Sequence, residues 1–245
     1  MKALVLRLDA PLMSFGTVIV DHHGFIDDFP GLSTLTGLFA NALGWNHSDW
    51  ELLNDLQERL DFAARWDVSP EKLVDYQTVD LGSPKMRAPG WTTHGDPEHR
   101  TGGQDAKFGT HQRYRHFWMD GVMTVVVSLA PGKPTIDRLK EALENPARPL
   151  FLGRKSCLPA RPLLDPVSPI VEGTDTLSVL FSVPVWNRNG SLSEVKEPLL
   201  ACWSSSDTVS EDRGEQQLVY DLRDWQNQLL AGSRWRVRGM IGGGQ

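Results

Sequence analysis

Cations and aromatic rings alternate along one short run of this 245-residue chain, residues 112–118, which reads QRYRHFW. Side chains alternate between the two faces of a strand, so this run would present two different rows. The rows are Arg113, Arg115 and Phe117 on one face, and Tyr114, His116 and Trp118 on the other. Single-stranded nucleic acid binds to such surfaces, because guanidinium groups neutralise phosphates and aromatic faces stack on bases. The alternative is one row in the core and one in solvent.

A second candidate site lies around Gly153. This glycine precedes two cations and a hydroxyl, Arg154, Lys155 and Ser156, so backbone amides and side chains can converge on one phosphate. The surrounding residues 146–164 contain four cations and no acidic residue. This pattern favours an anion-binding loop.

Charge along the chain is uneven. The whole chain has a net charge of -6, yet residues 85–116 carry six cations against three carboxylates, which leaves them near +3. A third basic run near the C-terminus contains Arg234, Arg236 and Arg238 before a series of glycines. A uniformly acidic surface repels phosphates, whereas basic islands on an acidic chain indicate a local anion site.

The histidine spacing argues against a metal site. His94 and His99, like His111 and His116, are five residues apart, which fits neither the helical nor the strand spacing that aims two imidazoles at one ion. We expect no metal and no cofactor. RNA cleavage is an alternative activity, because it needs a base, an acid and a cation near the phosphate. The candidate groups are Lys107, His111, Tyr114 and His116.

Composition and apolar runs bound the class of protein. The chain is 40% hydrophobic and 23% charged, as in ordinary globular domains. Its two cysteines, Cys157 and Cys202, form no C-x-x-C pair and are expected to be reduced thiols. The longest apolar runs fall well short of the roughly 18 to 20 residues that span a bilayer. We therefore expect a cytoplasmic protein without a membrane segment.

The apolar pattern predicts the elements that position the candidate residues. Alternation over residues 1–9 predicts an opening strand, and helices are predicted from Ser33 or Thr34 to Trp45 and over 135–145. An S-x-x-E capping box at residues 48–51 predicts one more helix. Further strands are predicted at residues 60–67, 73–81, 111–118, 122–129, 177–186 and 217–222.

A long excursion separates two of these strands. Residues 82–110 lack periodicity and are rich in Gly, Pro, Thr, His and Arg. Loops of such length inside a compact domain are usually functional or disordered. We expect residues 111–118 and 122–129 to pair as a hairpin, with the excursion as its flared end. The order strand, helix, strand, strand, helix, strand is typical of the ferredoxin-like fold.

Several separated stretches resemble the fifth Cas family, represented by the CasD subunit of type I-E CRISPR Cascade complexes. The matched stretches are residues 10–16 (APLMSFG), 29–30 (FP), 35–38 (LTGL), 42–44 (ALG), 60–63 (LDFA), 75–79 (DYQTV), 115–120 (RHFWMD) and 149–157 (PLFLGRKSC). The last stretch is the most specific. Their common order over residues 1–164 carries the resemblance, which fades to general character after residue 166.

This resemblance implies an α+β fold with two regions. Residues 1–165 would form a modified RRM-like or ferredoxin-like (RAMP) domain with a long protruding hairpin thumb at about residues 82–116. Residues 166–245 would form an accessory C-terminal β region that completes the fold.

The resemblance also implies a function in antiviral defence. The chain would be a non-catalytic subunit of a type I-E Cascade ribonucleoprotein, holding the 5′ handle of the CRISPR RNA (crRNA). It would contact the CasC backbone subunit, the CasA large subunit and other Cascade subunits, and target DNA only indirectly. The related type I-C subunit is a metal-independent repeat endoribonuclease, which supplies the alternative function. A scaffold without direct RNA contact is a third hypothesis.

The predicted RNA-binding residues form three groups. They are Ser14, Phe15 and Gly16 after the first strand, Lys85, Arg87, Lys107, Arg113 and Arg115 on the thumb, and Arg154, Lys155 and Ser156 in the second loop. The first and last groups and Arg115 lie on matched stretches. The remaining thumb residues are predicted from charge alone.

Overall fold

The fold is described from a computed structural model, which covers residues 1–17, 22–80, 110–187, 189, 191–194, 197–204 and 214–242. The strands are β1 (Lys2–Asp9), β2 (Leu12–Met13), β3 (His23–Gly24), β4 (Leu60–Val68), β5 (Glu71–Asp80), β6 (Thr110–Met119), β7 (Val122–Leu129), β8 (Ile170–Glu172), β9 (Val185–Trp186), β10 (Leu192–Ser193), β11 (Leu199–Ser204), β12 (Gly214–Asp224) and β13 (Leu229–Ile241). The helices are α1 (Leu32–Leu43), α2 (Trp50–Arg59), α3 (Ile136–Glu144) and α4 (Thr176–Ser182).

A seven-stranded antiparallel sheet organises the molecule, with strand order β12-β13-β11-β4-β7-β1-β8. Four neighbouring strands of this sheet, in the spatial order β4-β7-β1-β8, come from elements that follow one another along the chain as β1, α1, β4, β7, α3 and β8. This is the split βαβ arrangement that the sequence predicts. The C-terminal strands β11 to β13 extend the same sheet beyond β4.

The two faces of the sheet carry separate hydrophobic cores. Leu4, Leu6 and Leu8 of β1 pack with residues of α1 and α3 on one face. Ala3 and Val5 face the other way and pack with residues of α4. Both rows of β1 are buried, which explains why the strand reads as nearly continuous apolar sequence.

A buried ion network lies on the α4 side of the sheet, centred on Asp67. The Asp67 carboxylate accepts hydrogen bonds from Arg7 Nη1 at 3.0 Å and Arg65 Nε at 2.7 Å. It also accepts from Thr124 Oγ1 at 2.6 Å, while Arg7 Nε reaches Asp165 at 2.7 Å. The arginines also donate to the carbonyls of Leu180, Val183 and Pro184. The network therefore ties the end of α4 to the sheet.

A second sheet contains β5 and β6, with β2 and β3 beside β6. The expected hairpin between residues 111–118 and 122–129 is wrong: β6 pairs antiparallel with β5, and β7 lies in the main sheet between β1 and β4. Gly121 marks the junction, where a Cβ would lie only 2.5 Å from the Trp66 ring. The chain leaves the second sheet at the end of β6 and enters the main sheet with β7, so these two strands do not form a hairpin.

The predicted thumb lies mostly outside the described residues. Residues 81–109 are not described, and residues 110–116 belong to β6. Within the described part, β5 and β6 pair from Glu71–Met119 to Asp80–Thr110. The hairpin that leads into the excursion is therefore β5–β6.

Three local predictions need correction. The strand expected at residues 177–186 is instead the short helix α4 followed by β9, because Asp175 and Ser178 form a capping box that starts a helix. Neither Ser33 nor Thr34 caps α1: the N-cap is Gly31, and Asp221 accepts from the Leu32 amide at 3.0 Å. The S-x-x-E box does not start α2, whose N-cap is Asp49 without a side-chain cap.

Both cysteines are free and buried. Burial raises the pKa of the Cys202 thiol to about 12, so this thiol stays protonated at neutral pH. Among the described residues, no helix has the length and apolar character needed to cross a membrane.

Candidate nucleic-acid interface

The first and last groups of predicted RNA-binding residues meet at one place. The Ser14 amide donates to the Leu152 carbonyl at 3.1 Å, so the segment after β1 lies against the loop that carries Arg154. Gly153 has φ +92°, and a Cβ there would lie 1.7 Å from the Ser14 carbonyl oxygen. Glycine is therefore required at this contact.

Gly16 is exposed at this junction, whereas its two predecessors are not. Ser14 is 2% exposed, and its hydroxyl donates to the His116 carbonyl at 3.4 Å. Phe15 is 1% exposed, and its ring centroid lies 6.5 Å from that of Trp66. The assignment of Phe15 as an RNA contact is therefore corrected, because its ring belongs to the core and cannot stack on a base.

Arg154 sits on the face of β6 that the sequence predicts to be basic. Its guanidinium carbon lies 4.8 Å from the ring centroid of Phe117. Its hydrogen bonds to the carbonyls of His116 and Gly24 are long, 3.5 Å each. Burial, and then the charge of Arg115, lower the pKa of Arg154. An arginine still keeps its proton at neutral pH, so two cations lie close together here.

The remaining predicted residues, six cations and Ser156, divide into three sets. Arg113 and Arg115 are exposed on β6, and Arg115 pairs in register with Asp75 of β5. Lys155 and Ser156 are exposed beside Arg154. The other three lie outside the described residues: Lys85, Arg87 and Lys107.

The opposite row of β6 belongs to a cluster of rings. The His23 ring stacks on Tyr114 at 4.7 Å and on Phe25 at 5.4 Å between centroids, with 10° between the planes in both pairs. His116 packs against the same rings and is only 7% exposed. Burial, followed by the charges of Lys72, His23 and Arg154, lowers the pKa of His116, so its imidazole is neutral at pH 7.

A cleft of about 570 Å³ opens from this junction along α1. Gly153, Arg154 and Lys155 line one part of it, and Trp45 and Trp225 line another. Its cationic side chains are Arg148, Arg154, Lys155 and Arg223, and no aspartate or glutamate lines it among the described residues. The cleft therefore presents positive charge and aromatic surface together, the combination that suits single-stranded nucleic acid.

Sequence reasoning did not predict several of the residues that line this cleft. Arg148 lies in the acid-free run 146–164 and could have been found there. Arg223 lies near the end of β12 and Trp225 directly follows that strand, far from the other lining residues in sequence, and no spacing signal links them to α1. The third basic run is not part of the site: Arg234, Arg236 and Arg238 pair with Asp221, Asp27 and Asp28.

The described residues contain no cluster of three or more His, Cys, Asp or Glu side chains that could hold a metal ion. The ferredoxin-like core and the second sheet define an α+β protein, and the cation-lined cleft lies beside that core.

Comparison with known proteins identifies the family. The family model described as CRISPR-associated protein (Cas_Cas5) matches residues 3–237, so the chain belongs to this family. CRISPR system Cascade subunit CasD of Escherichia coli (strain K12) is 31% identical over 169 residues, which are 65% of this chain and 68% of CasD. The suspected membership of the fifth Cas family is confirmed.

Solved structures show the same fold. A chain of a CRISPR RNA-guided surveillance complex superimposes with a TM-score of 0.64 at 23% identity, over 98% of this chain and 89% of that one. A crystal structure of a Cas protein gives a TM-score of 0.61 at 25% identity, over 97% of this chain and 94% of that one. The α+β, RAMP-like fold class predicted from the sequence is confirmed.

Proposed function

We propose that this chain is the RNA-binding subunit of a type I-E Cascade complex and holds the 5′ handle of the crRNA in the cleft beside Gly153. The E. coli relative is named as a Cascade subunit, and a structural neighbour belongs to an RNA-guided surveillance complex. The function is a structural one: the subunit fixes one end of the guide and joins it to neighbouring subunits.

The observation that carries this proposal is the convergence of two distant stretches on one acid-free cleft. The segment 14–16 and the loop 153–156 meet through the Ser14–Leu152 hydrogen bond, and Arg115 lies next to Arg154. Four cations line the cleft without any carboxylate among the described lining residues. Excess positive charge in a concave surface concentrates a polyanion there, even on a chain with a net charge of -6.

Contacts with other Cascade subunits, including CasC and CasA, are part of the proposal. The hairpin β12–β13 leaves large apolar side chains exposed on one face. Leu218 lies directly opposite Trp235, and the two are 42% and 53% exposed, with Tyr220 at 54%. Exposed apolar patches of this kind mark protein interaction surfaces. The hairpin is therefore the described surface that best suits a protein neighbour.

The geometry favours binding over cleavage. The alternative function, a repeat endoribonuclease, would need a His and Tyr acid/base pair drawn from Tyr114, His111 and His116, with Lys107 as the cation; the His111 and Lys107 side chains lie outside the described part of the structure. His116 is buried in the ring cluster, and Tyr114 stacks on His23. A general base must reach the proton that it removes. We therefore expect no discrete products when the purified chain is incubated with labelled repeat RNA, with or without magnesium.

Co-purified RNA tests the proposal most directly. The assembled complex should protect an RNA with a uniform 5′ end, and Arg154→Gln with Lys155→Gln should reduce that protection. RNA-free assembly of the complete complex would favour the scaffold hypothesis. Cleavage products that disappear on Tyr114→Phe would favour the endoribonuclease.

A further inference from the structure

The aromatic end of the cleft is the part that Trp45 and Trp225 line. Trp45 is half-buried, and Trp225 is 6% exposed and forms part of the cleft wall. The guanidinium carbon of Arg223 lies 5.3 Å from the Trp225 ring centroid, and Arg148 donates to the Trp45 carbonyl. The aromatic end therefore offers indole surface, mainly that of Trp45, with two cations beside it.

Hydrogen bonds within the chain hold the Trp45 backbone and the Trp225 indole, and the Trp45 side chain packs against the buried cluster of Ala40, Leu53 and Trp225. The Trp45 amide donates to the Ala40 carbonyl at 2.9 Å, and the Trp45 carbonyl accepts from Arg148 Nη1 at 2.6 Å. Trp225 Nε1 donates to Gln57 Oε1 at 3.3 Å. Binding to a preformed surface avoids the entropy cost of ordering side chains, which leaves more of the contact energy for affinity.

Small residues of α1 keep the space beside the indoles open. Gly37 lies in the middle of α1, where glycine costs helix stability relative to alanine. A Cβ at Gly37 would meet only Trp225 Cη2, at 3.7 Å, which is ordinary contact. The cleft volume of about 570 Å³ falls within the roughly 300–1,000 Å³ of small-molecule sites.

We propose that the half-buried indole of Trp45, with the buried Trp225 as part of the wall, forms a base-binding subsite for one unpaired nucleotide of the bound RNA, while Arg154 and Lys155 hold phosphate. The ligand chemistry is a nucleotide in single-stranded RNA, because aromatic faces bind bases of any sequence and the cations neutralise the backbone. This inference rests on the proposed function, and it adds a contact to the base that the basic loop cannot supply.

Two RNA probes separate the base from the backbone. The full-length chain is titrated with fluorescein-labelled oligouridylate and with an abasic ribose-phosphate oligomer of the same length. Trp45→Ala should weaken oligouridylate binding about tenfold or more and leave abasic binding unchanged. Trp45→Phe, which keeps an aromatic face, should recover most of that loss.

Substitution of Gly37 gives a second test, because it fills space in the cleft without removing a side chain or a charge. Gly37→Leu should obstruct the aromatic end and weaken oligouridylate binding selectively, whereas the matched control Gly37→Ala should bind like the wild-type chain. Circular dichroism confirms that each variant is folded.

The outcomes distinguish the subsite from the proposed function. Equal affinity of the wild-type chain for the two probes, with loss of both on Arg154→Gln, would overturn the subsite and leave phosphate binding intact. Unchanged oligouridylate binding in both Trp45→Ala and Gly37→Leu would also overturn it. Failure of the wild-type chain to bind either probe would overturn the subsite and RNA holding together.

Discussion

Removing the positive charge of the candidate interface should change how RNA binding depends on salt. The perturbation is a quadruple variant in which Arg113, Arg115, Arg154 and Lys155 become glutamine. Glutamine removes the charge, while its planar amide can still lie over Phe117, where the Arg154 guanidinium lies 4.8 Å from the ring centroid. The variant thus tests charge with little loss of packing.

The magnitude follows from the number of cations that the proposed site offers to RNA. Three of the four side chains are exposed, and Arg154 is half-buried between Phe117 and solvent. Each phosphate that a protein neutralises on a single strand contributes about 0.7 to the slope of log affinity against log salt. If each cation engages one phosphate, the variant should flatten that slope by roughly 3 units.

The assay is fluorescence anisotropy with single-stranded RNA at several salt concentrations. The matched control changes Lys2, Lys133, Arg138 and Lys140 to glutamine. Three of these form surface ion pairs, with Asp137, Glu141 and Glu144, and such pairs contribute little to stability. The control therefore removes the same charge from another surface without unfolding the chain.

The comparison of slopes decides the question. A slope that flattens only in the interface variant supports direct phosphate contacts. An equal change in the control would show that diffuse charge, and not these four side chains, attracts RNA, and the assignment would then be refuted.

Three further perturbations test the positioning of the site and the fold beneath it. Gly153→Ala should cost more than about 1 kcal/mol in the free energy of unfolding and weaken RNA binding, because its Cβ would collide with the Ser14 carbonyl at a positive φ; Gly16→Ala, whose Cβ would meet no atom within 4 Å, is the control for the unfolding measurement. Asp67→Asn should lower the free energy of unfolding in urea by about 3–5 kcal/mol, since it leaves Arg7 and Arg65 buried without their shared carboxylate, whereas Asp137→Asn on the surface should cost under about 1 kcal/mol. Burial alone would raise the pKa of Asp165, but hydrogen bonds from the Ser168 amide and Arg7 outweigh it and lower that pKa below 3.8. The ionised carboxylate therefore stabilises the fold above pH 3.8, and this stabilisation is lost as the pH falls through the folded-state pKa. Asp165→Asn should show no such loss of stability when the free energy of unfolding is measured against pH.

The central fold follows from the sequence because its elements have strong periodic patterns. The strand over residues 1–9 and the helix over 135–145 were predicted to within a residue or two, since each buries a regular apolar row. The Thr135 cap of α3 is a local signal of the same kind. Such elements carry their own evidence, because propensity and burial agree.

The elements that the sequence mispredicted have separate causes. Residues 177–186 have the composition of a buried strand, yet a capping box at Asp175 and Ser178 starts α4, and the sheet face under it accepts Leu177 and Leu180. The strands β6 and β7 are adjacent in sequence and both extended, yet they do not pair with each other. Which strands pair depends on the faces that each strand buries. Val125 and Val126 of β7 face opposite cores, so β7 must lie inside the main sheet, where β6 has no place.

The arginines illustrate why charge in the sequence predicts only part of a binding site. The C-terminal basic run appears in sequence as a cluster like any other, but its residues are neutralised by aspartates from two places in the chain, Asp27 and Asp28 before α1 and Asp221 in β12. Asp221 serves two purposes there, since it pairs with Arg234 at 2.8 Å and also accepts from the Leu32 amide at the start of α1. These cations hold β13 against the body of the protein.

The cleft cations differ from that run in what surrounds them. Arg148 donates to the carbonyls of Gly44 and Trp45 at the end of α1, and Arg154 makes only long contacts with carbonyls. A carbonyl satisfies a guanidinium donor but does not cancel its charge, so the positive potential of the cleft persists. Among the described residues, folding thus pairs the C-terminal arginines with aspartates and leaves the cleft cations without an aspartate or glutamate in the cleft lining. The fold creates this pairing, and it is what makes the cleft, and not the C-terminal run, the proposed phosphate site.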